Sequence, residues 1–212
     1  MLLLTKNCKL LFTGDSITDC GRGHEITPHQ DLGNGYVNLV NSSLRAGYPD
    51  LHCQIINTGI SGNRVTDLKK RWQEDVLDHQ AEYLSIMIGI NDVWRQFDQE
   101  FQTVQVTPEI FEATYRDLIE KSQDLHKGII LGTPYYLETD KHDPMRQLMD
   151  RYGSIVKRLA GEYKTELVDT QLAFDIYMQH NASSTLCEDK VHPNQIGHMI
   201  LAKAFLKVLE SK

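Results

Sequence analysis

Short, continuous apolar runs alternate along this chain with longer stretches whose apolar residues recur at helical spacing. Residues 9–13 (KLLFT) are apolar nearly throughout and end at Gly14, which predicts a strand buried on both faces. Residues 36–46 carry apolar positions at helical spacing and stop at Gly47, so they predict a helix. Residues 52–57 (HCQIIN) predict a second strand, again ended by glycine. Residues 66–79 predict a helix with Leu68, Trp72, Val76 and Leu77 on one face. Residues 83–88 (YLSIMI) predict a third strand. Thr107-Pro108-Glu109 is a helix start, with a capping hydroxyl, a proline in the first turn and then an acid, and the helix is expected to reach about Leu125. Residues 128–131 (GIIL) predict a fourth strand. Asp143-Pro144 repeats the cap-then-proline signal for a helix to Tyr163, and residues 166–169 (ELVD) predict a fifth strand. A last helix is expected to begin at Pro193 and continue through Met199, Ile200, Ala204 and Leu209.

Strands alternating with helices form a parallel sheet covered on both faces. The fold class is therefore α/β: a three-layer α/β/α sandwich around a central five-stranded parallel sheet, flavodoxin-like in outline. No internal repeat, low-complexity tract or Gly/Ser/Pro linker divides the chain, so residues 1–212 read as one domain. Open parallel sheets bind ligands beyond the carboxyl ends of their strands. The loops after Thr13, Asn57, Ile88 and Leu131, with the loop before the last helix, are where chemistry is expected.

Composition narrows the partners. The 212 residues are 41% hydrophobic and 24% charged, ordinary for a globular protein, and the net charge is −7. That balance argues against nucleic acid, which usually requires a basic surface, and suits a neutral or weakly charged small molecule. Met1-Leu2-Leu3-Leu4 breaks at Thr5 and is too short for a signal segment, and no run approaches the ~20 apolar residues of a membrane helix. The expectation is a cytoplasmic protein without a membrane partner. Cys8, Cys20, Cys53 and Cys187 lie far apart and form no CxxC pair, so they are read as free thiols without a role.

Three of the strand-end loops and the loop before the last helix offer candidate chemistry. GDSIT puts Ser16 at a strand end, where its hydroxyl and its own N–H can face the crevice; alone, it reads equally as a turn or a phosphate-cradling loop. NTGISGN offers Gly62, whose backbone can approach a ligand closely and donate an N–H, or which serves only the turn. GIND offers Asn91, an uncharged side-chain donor suited to an oxyanion, or a helix cap. DKVHP places Asp189 three residues before His192, so one turn can set a carboxylate beside the imidazole. Together they supply a nucleophile, a base, an acid that orients the base, and oxyanion donors, which are the roles an acyl-transfer site needs.

This ordered set resembles the GDSL/SGNH hydrolases, named for a Ser, a Gly, an Asn and a His in separate blocks. The resemblance runs from about Lys9 to the last helix; the first block reads GDSI in place of GDSL. It implies Ser16, Asp189 and His192 as catalytic residues, an oxyanion hole of Ser16, Gly62 and Asn91, and no metal or organic cofactor. The stretches GDSITDCGR, LGNGYV, DLKKRWQEDV, SIMIGINDVWRQ and DPMRQLMDRYG are similar to intracellular bacterial acetylxylan esterases of this superfamily. That implies short acyl, acetyl above all, removed from acetylated xylo-oligosaccharides or similar sugars, and a homo-oligomer. Asp15, Trp94, Arg95 and Tyr135 stand near the blocks as candidate substrate-binding residues. For Asp15 the alternative is ordering its loop, for Trp94 packing, and for Arg95 an ion pair.

Three other readings compete. A GDSL-type lipase or thioesterase would act on another ester. A metal-dependent phosphoesterase would use Asp15, Asn91, Asp92, Asp189 and His192 as ligands, leaving Ser16 and Gly62 without a role. A flavodoxin-like binding module would cradle a phosphate on GDSIT, although neither GxGxxG nor a P-loop lysine motif is present.

Overall fold

The computed structural model describes residues 2–23, 31–98, 105–124 and 126–211. Five strands, β1 (Lys9–Gly14), β2 (Gln54–Asn57), β3 (Tyr83–Met87), β4 (Gly128–Gly132) and β5 (Glu166–Val168), form one all-parallel sheet in the order β2-β1-β3-β4-β5. Leu11 pairs with Ile56 on one side and Leu84 on the other, so the β1 run is buried on both faces as its unbroken apolar pattern predicts.

The strand order decides which face each helix covers. The chain steps from β1 to β2 in one direction and from β2 onward in the other, so right-handed crossovers put their connecting helices on opposite faces. α2 (Tyr36–Gly47) packs with α8 (Gln195–Leu209) and α7 (Thr170–Met178) with α8, making one layer. α3 (Val65–Lys70), α5 (Pro108–Ser122) and α6 (Pro144–Tyr163) make the other. Phe12 anchors the first layer, its ring 5.7 Å from both Tyr36 and Phe205. The Tyr36 hydroxyl bonds Thr18 Oγ1 at 3.0 Å, so this aromatic cluster also grips the segment after β1.

Several boundaries depart from the sequence pattern for local reasons. Strand β2 starts two residues late because His52 has φ +51, a left-handed conformation that no strand accommodates. The expected helix 66–79 is broken: α3 ends before Arg71, and residues Gln73–Leu77 continue as a single π-helical turn. Leu68, Trp72 and Val76 are nonetheless buried, since the core needs the apolar face and tolerates the break. Asp169 caps α7, accepting the Leu172 N–H at 3.1 Å, where the pattern places it in a strand; α7 itself was not anticipated. The last helix begins at Gln195, because Asn194 takes the cap and accepts the N–H groups of Ile196 and Gly197. Leu125, the expected end of α5, lies outside the described residues; the helix ends at Ser122. Cys8 and Cys53, distant in sequence, are neighbours ahead of β1 and β2 with Sγ atoms 3.0 Å apart, and all four cysteines are free thiols.

Candidate active site

Ser16 is the first residue of α1 (Ser16–Asp19), a single turn that follows β1 directly. Asp15 caps that turn, its Oδ1 accepting the Ile17 N–H at 3.0 Å. In this arrangement Ser16 Oγ lies 2.9 Å from His192 Nε2. His192 Nδ1 lies 2.6 Å from Asp189 Oδ2. A carboxylate only accepts, so Nδ1 carries the ring proton and Nε2 is left to accept from the serine hydroxyl. Asp189 Oδ1 accepts the backbone N–H groups of Val191 at 2.9 Å and His192 at 2.8 Å. Burial raises the Asp189 carboxyl, but these bonds outweigh it and hold the group below its ordinary value.

The turn that brings Asp189 back to His192 requires Lys190 in the left-handed region, at φ +62. Such a conformation in a non-glycine residue persists only when neighbours hold it. Here the loop after β4 does so. Leu137 N–H donates to Lys190 O at 2.9 Å, Lys190 Nζ pairs with Glu138, and the Tyr135 hydroxyl donates to Val191 O at 3.2 Å.

Gly62 and Asn91 approach from the other side. Gly62 has φ +79, which glycine adopts without strain, and its carbonyl accepts Arg95 Nη2 at 2.8 Å. Asn91 sits in α4 (Ile90–Trp94), whose cap position is Gly89, so it is not the helix cap. It donates one side-chain N–H to Asn63 O at 3.1 Å. An amide has two such hydrogens. Ser16, Gly62, Asn91, Trp94, Arg95 and His192 line one cavity of about 620 Å³. The Trp94 ring stands 5.9 Å from that of His192, tilted by 59°. A second histidine on this wall, His198, accepts the Tyr36 N–H at Nδ1 (3.2 Å) and faces Cys20 Sγ with Nε2 (3.3 Å). Burial pushes His198 down to about 4, so it stays neutral.

Two candidate substrate-binding residues are displaced from that role. Asp15 and Tyr135 are 2% and 1% exposed and neither lines the cavity. Asp15 spends its carboxylate on the α1 cap, and Tyr135 reaches the site only by supporting Val191. Arg95 holds the Gly62 carbonyl, a contact the expected carboxylate pairing did not include. Asp92 is also buried, its two oxygens accepting the Val65 N–H at 3.0 and 3.2 Å. Burial pushes the carboxyls of Asp15 and Asp92 up to about 7, partly offset by those backbone bonds. The rival ligand set thus does not converge. Among the described residues no group of three or more His, Cys, Asp or Glu is arranged to hold a metal ion.

Sequence reasoning missed the residues beneath the loops. Asp19 Oδ2 accepts both the N–H (3.0 Å) and the hydroxyl (2.7 Å) of Ser61. Asn57 Nδ2 donates to Thr18 O at 2.7 Å, and Arg22 holds Gly59 O with two N–H groups. Gly59 itself is required because a Cβ there would run into the backbone of Asp19. Asp19, Asn57 and Gly59 stand inside blocks already singled out, but only their three-dimensional partners reveal what they do.

The model of the GDSL-like Lipase/Acylhydrolase family matches residues 12–200. The chain is 50% identical over 205 residues to an acetylxylan esterase of Geobacillus stearothermophilus, covering 94% of this chain and 92% of that one. It is 25% identical over 216 residues to the uncharacterized protein YpmR of Bacillus subtilis (strain 168), covering 94% and 80%. The crystal structure of Axe2, an acetylxylan esterase from Geobacillus stearothermophilus, superposes with a TM-score of 0.94 at 48% identity, covering 98% of this chain and 96% of Axe2. LAE5, an alpha/beta hydrolase enzyme from the metagenome of Lake Arreo, Spain, gives 0.96 at 43% identity, covering 99% and 98%. Structures of Axe2 catalytic mutants with a serine, an aspartate or a histidine replaced by alanine are also similar.

Proposed function

This chain belongs to the GDSL-like lipase/acylhydrolase family and is a serine esterase, and from that premise we propose that it removes acetyl groups from acetylated xylo-oligosaccharides through an acyl-enzyme on Ser16. The observation that carries the reading is the continuous relay Ser16 Oγ–His192–Asp189, at 2.9 and 2.6 Å, opening into a cavity lined also by Gly62 and Asn91. The acetyl specificity rests on the close likeness to the Geobacillus acetylxylan esterase.

His192 Nε2 takes the hydroxyl proton as Ser16 Oγ attacks the ester carbonyl. Asp189 keeps the ring in the required tautomer and stabilises the imidazolium. The oxyanion of the tetrahedral intermediate is received by the N–H groups of Ser16 and Gly62 and by the Asn91 amide. His192 then gives its proton to the leaving sugar oxygen. It next activates a water that releases acetate and restores Ser16. Trp94 offers an apolar ring face to the sugar beside His192, and Arg95 fixes Gly62 while bordering the same cavity. No step requires a metal or organic cofactor. Residues 1–212 act in this reading as one hydrolase domain.

We extend the reading to a cytoplasmic homo-oligomer, on the resemblance to intracellular acetylxylan esterases. Among the described residues no helix is long and apolar enough to cross a membrane. Sedimentation of the purified protein tests the assembly.

The decisive experiment follows acetate release from acetylated xylo-oligosaccharides and from a small activated acetyl ester, by wild type and Ser16→Ala. Release by wild type and its loss in a folded Ser16→Ala protein are expected. Equal rates in both overturn the serine mechanism; activity on the small ester alone overturns the sugar substrate.

A further inference from the structure

Arg71 stands at the break between α3 and the π-helical turn, and its side chain is only 13% exposed. Its guanidinium is committed to four acceptors. Nη2 donates to Gly14 O at 2.9 Å, and Nη1 donates to Thr58 O and Asp75 Oδ2, both at 2.6 Å. Nε donates to Asn63 Oδ1 at 2.7 Å. A guanidinium has five N–H groups in a rigid plane, so one side chain here ties two separate segments, the end of β1 and the loop after β2, to its own helix.

Those segments are the ones that carry the site. Gly14 is the end of β1, two residues before Ser16, and its carbonyl also accepts the Ile60 N–H at 3.1 Å. Thr58 and Asn63 bracket the loop that holds Gly62 in its left-handed conformation. Asn63 is moreover the residue whose carbonyl receives the Asn91 amide. The path from Arg71 therefore reaches each oxyanion donor through one or two hydrogen bonds and a short stretch of chain: Ser16 through Gly14, Gly62 through Thr58 and Asn63, and Asn91 through Asn63. Asp75 balances the buried charge on the same side chain.

The geometry points to Arg71 as the positioning residue of the oxyanion hole, and we infer that it sets the spacing of the Ser16, Gly62 and Asn91 donors without touching substrate. This deepens the proposed ester hydrolysis and rests on it. Oxyanion donors act only when held where the charge develops. A displacement of their loops is therefore felt in the transition state and hardly in ground-state binding, so the effect belongs in kcat. A lysine supplies a point charge with no planar fork and can serve only part of the acceptor set.

The test measures kcat and KM on a small activated acetyl ester for wild type, Arg71→Met, Arg71→Lys, Asn91→Ala and the double variant Arg71→Met/Asn91→Ala. Folding is followed by circular dichroism. Arg71→Met is expected to lose about 10²-fold in kcat, the scale of one oxyanion donor, with KM little changed, and Arg71→Lys to recover part of that loss. The double variant is expected to fall far short of the product of the single losses, because both changes act on one feature. A folded Arg71→Met protein with kcat near wild type, or losses that multiply in the double variant, overturns the assignment. Full activity in Asn91→Ala overturns instead the oxyanion reading beneath it. If Arg71→Met does not fold, Asn63→Ala replaces it; it removes only the Nε acceptor and keeps the Asn63 carbonyl. A clear kcat loss at constant KM there supports the inference, and unchanged kinetics overturn it.

Discussion

Asp189 holds His192 twice, one carboxylate oxygen on the ring Nδ1 at 2.6 Å and the other on the residue's own backbone N–H at 2.8 Å. The same group therefore fixes both the tautomer of the imidazole and the turn that presents it. The pair stands open to solvent, with side chains 41% and 45% exposed, so water partly replaces a lost charge. Asp189→Asn is expected to lower kcat by about 10³-fold, short of the roughly 10⁴ seen when a buried triad acid is changed to its amide. KM on a small acetyl ester stays within a few-fold. Steady-state kinetics check this, and a loss below tenfold would remove Asp189 from the mechanism.

Trp94 lines the cavity wall beside His192, its ring 5.9 Å from the imidazole, and is the sugar platform of the proposed reaction. Trp94→Ala is expected to raise KM for acetylated xylo-oligosaccharides about tenfold, equivalent to about 1.4 kcal/mol of lost contact. A small acetyl ester, which leaves that face uncovered, is hydrolysed nearly as before. Comparing the two substrates separates a sugar platform from a packing residue: equal losses on both mean that Trp94 only packs.

Asp92 and Asp15 make stability depend on pH. Both carboxyls are raised by burial from an ordinary 3.8 to about 7. Between those values the folded chain keeps protons that the unfolded chain has released, so a rise in pH across that window favours unfolding. His198 acts in the opposite sense. Burial lowers it from 6.5 to about 4, and between these values the unfolded chain binds a proton the fold excludes, so stability rises with pH there. Above about 6.5 the acids act unopposed. Asp92→Asn keeps an acceptor for the Val65 N–H and removes one buried ionisation. The variant should therefore lose less stability than wild type between pH 6 and 8, measured by urea unfolding at about those two pH values. An identical difference in the two proteins refutes the assignment.

Tyr135 supports the catalytic turn from below. Tyr135→Phe keeps the packing on Phe174, whose ring lies 4.4 Å away, and removes only the hydrogen bond to Val191 O. The cost is expected to be about 1 kcal/mol, or a fall of roughly 2–4 °C in Tm for a chain of this size. KM should not move, because the ring does not reach the cavity. A raised KM with unchanged Tm would return Tyr135 to the substrate.

The order of strands and helices was legible in the sequence because each element declares itself within its own neighbours: the unbroken KLLFT run, the Thr107-Pro108 and Asp143-Pro144 starts, the glycines that close the strands. The relay was legible too, since Ser16 and the Asp189/His192 pair stand at strand-end and turn positions whose local geometry follows from short-range rules. Partnerships across the sheet were not. Arg71 looks like one more charge on an amphipathic helix until the break after α3 turns it under Gly14, Thr58 and Asn63. Tyr135 stands among the candidate cavity residues because the chain brings it to the active edge, and Asp15 reads either that way or as the residue that orders its loop, which is what its bond to Ile17 does. Only packing decides whether a side chain at that edge points into the cavity or beneath it. Which chemistry the chain carries, and in which loops, is written in local sequence; which buried groups hold that chemistry in register depends on the folded packing. Hydrophobic periodicity is a property of neighbouring residues, whereas the hydrogen bonds of a buried guanidinium or hydroxyl depend on atoms that are distant in the chain until it folds.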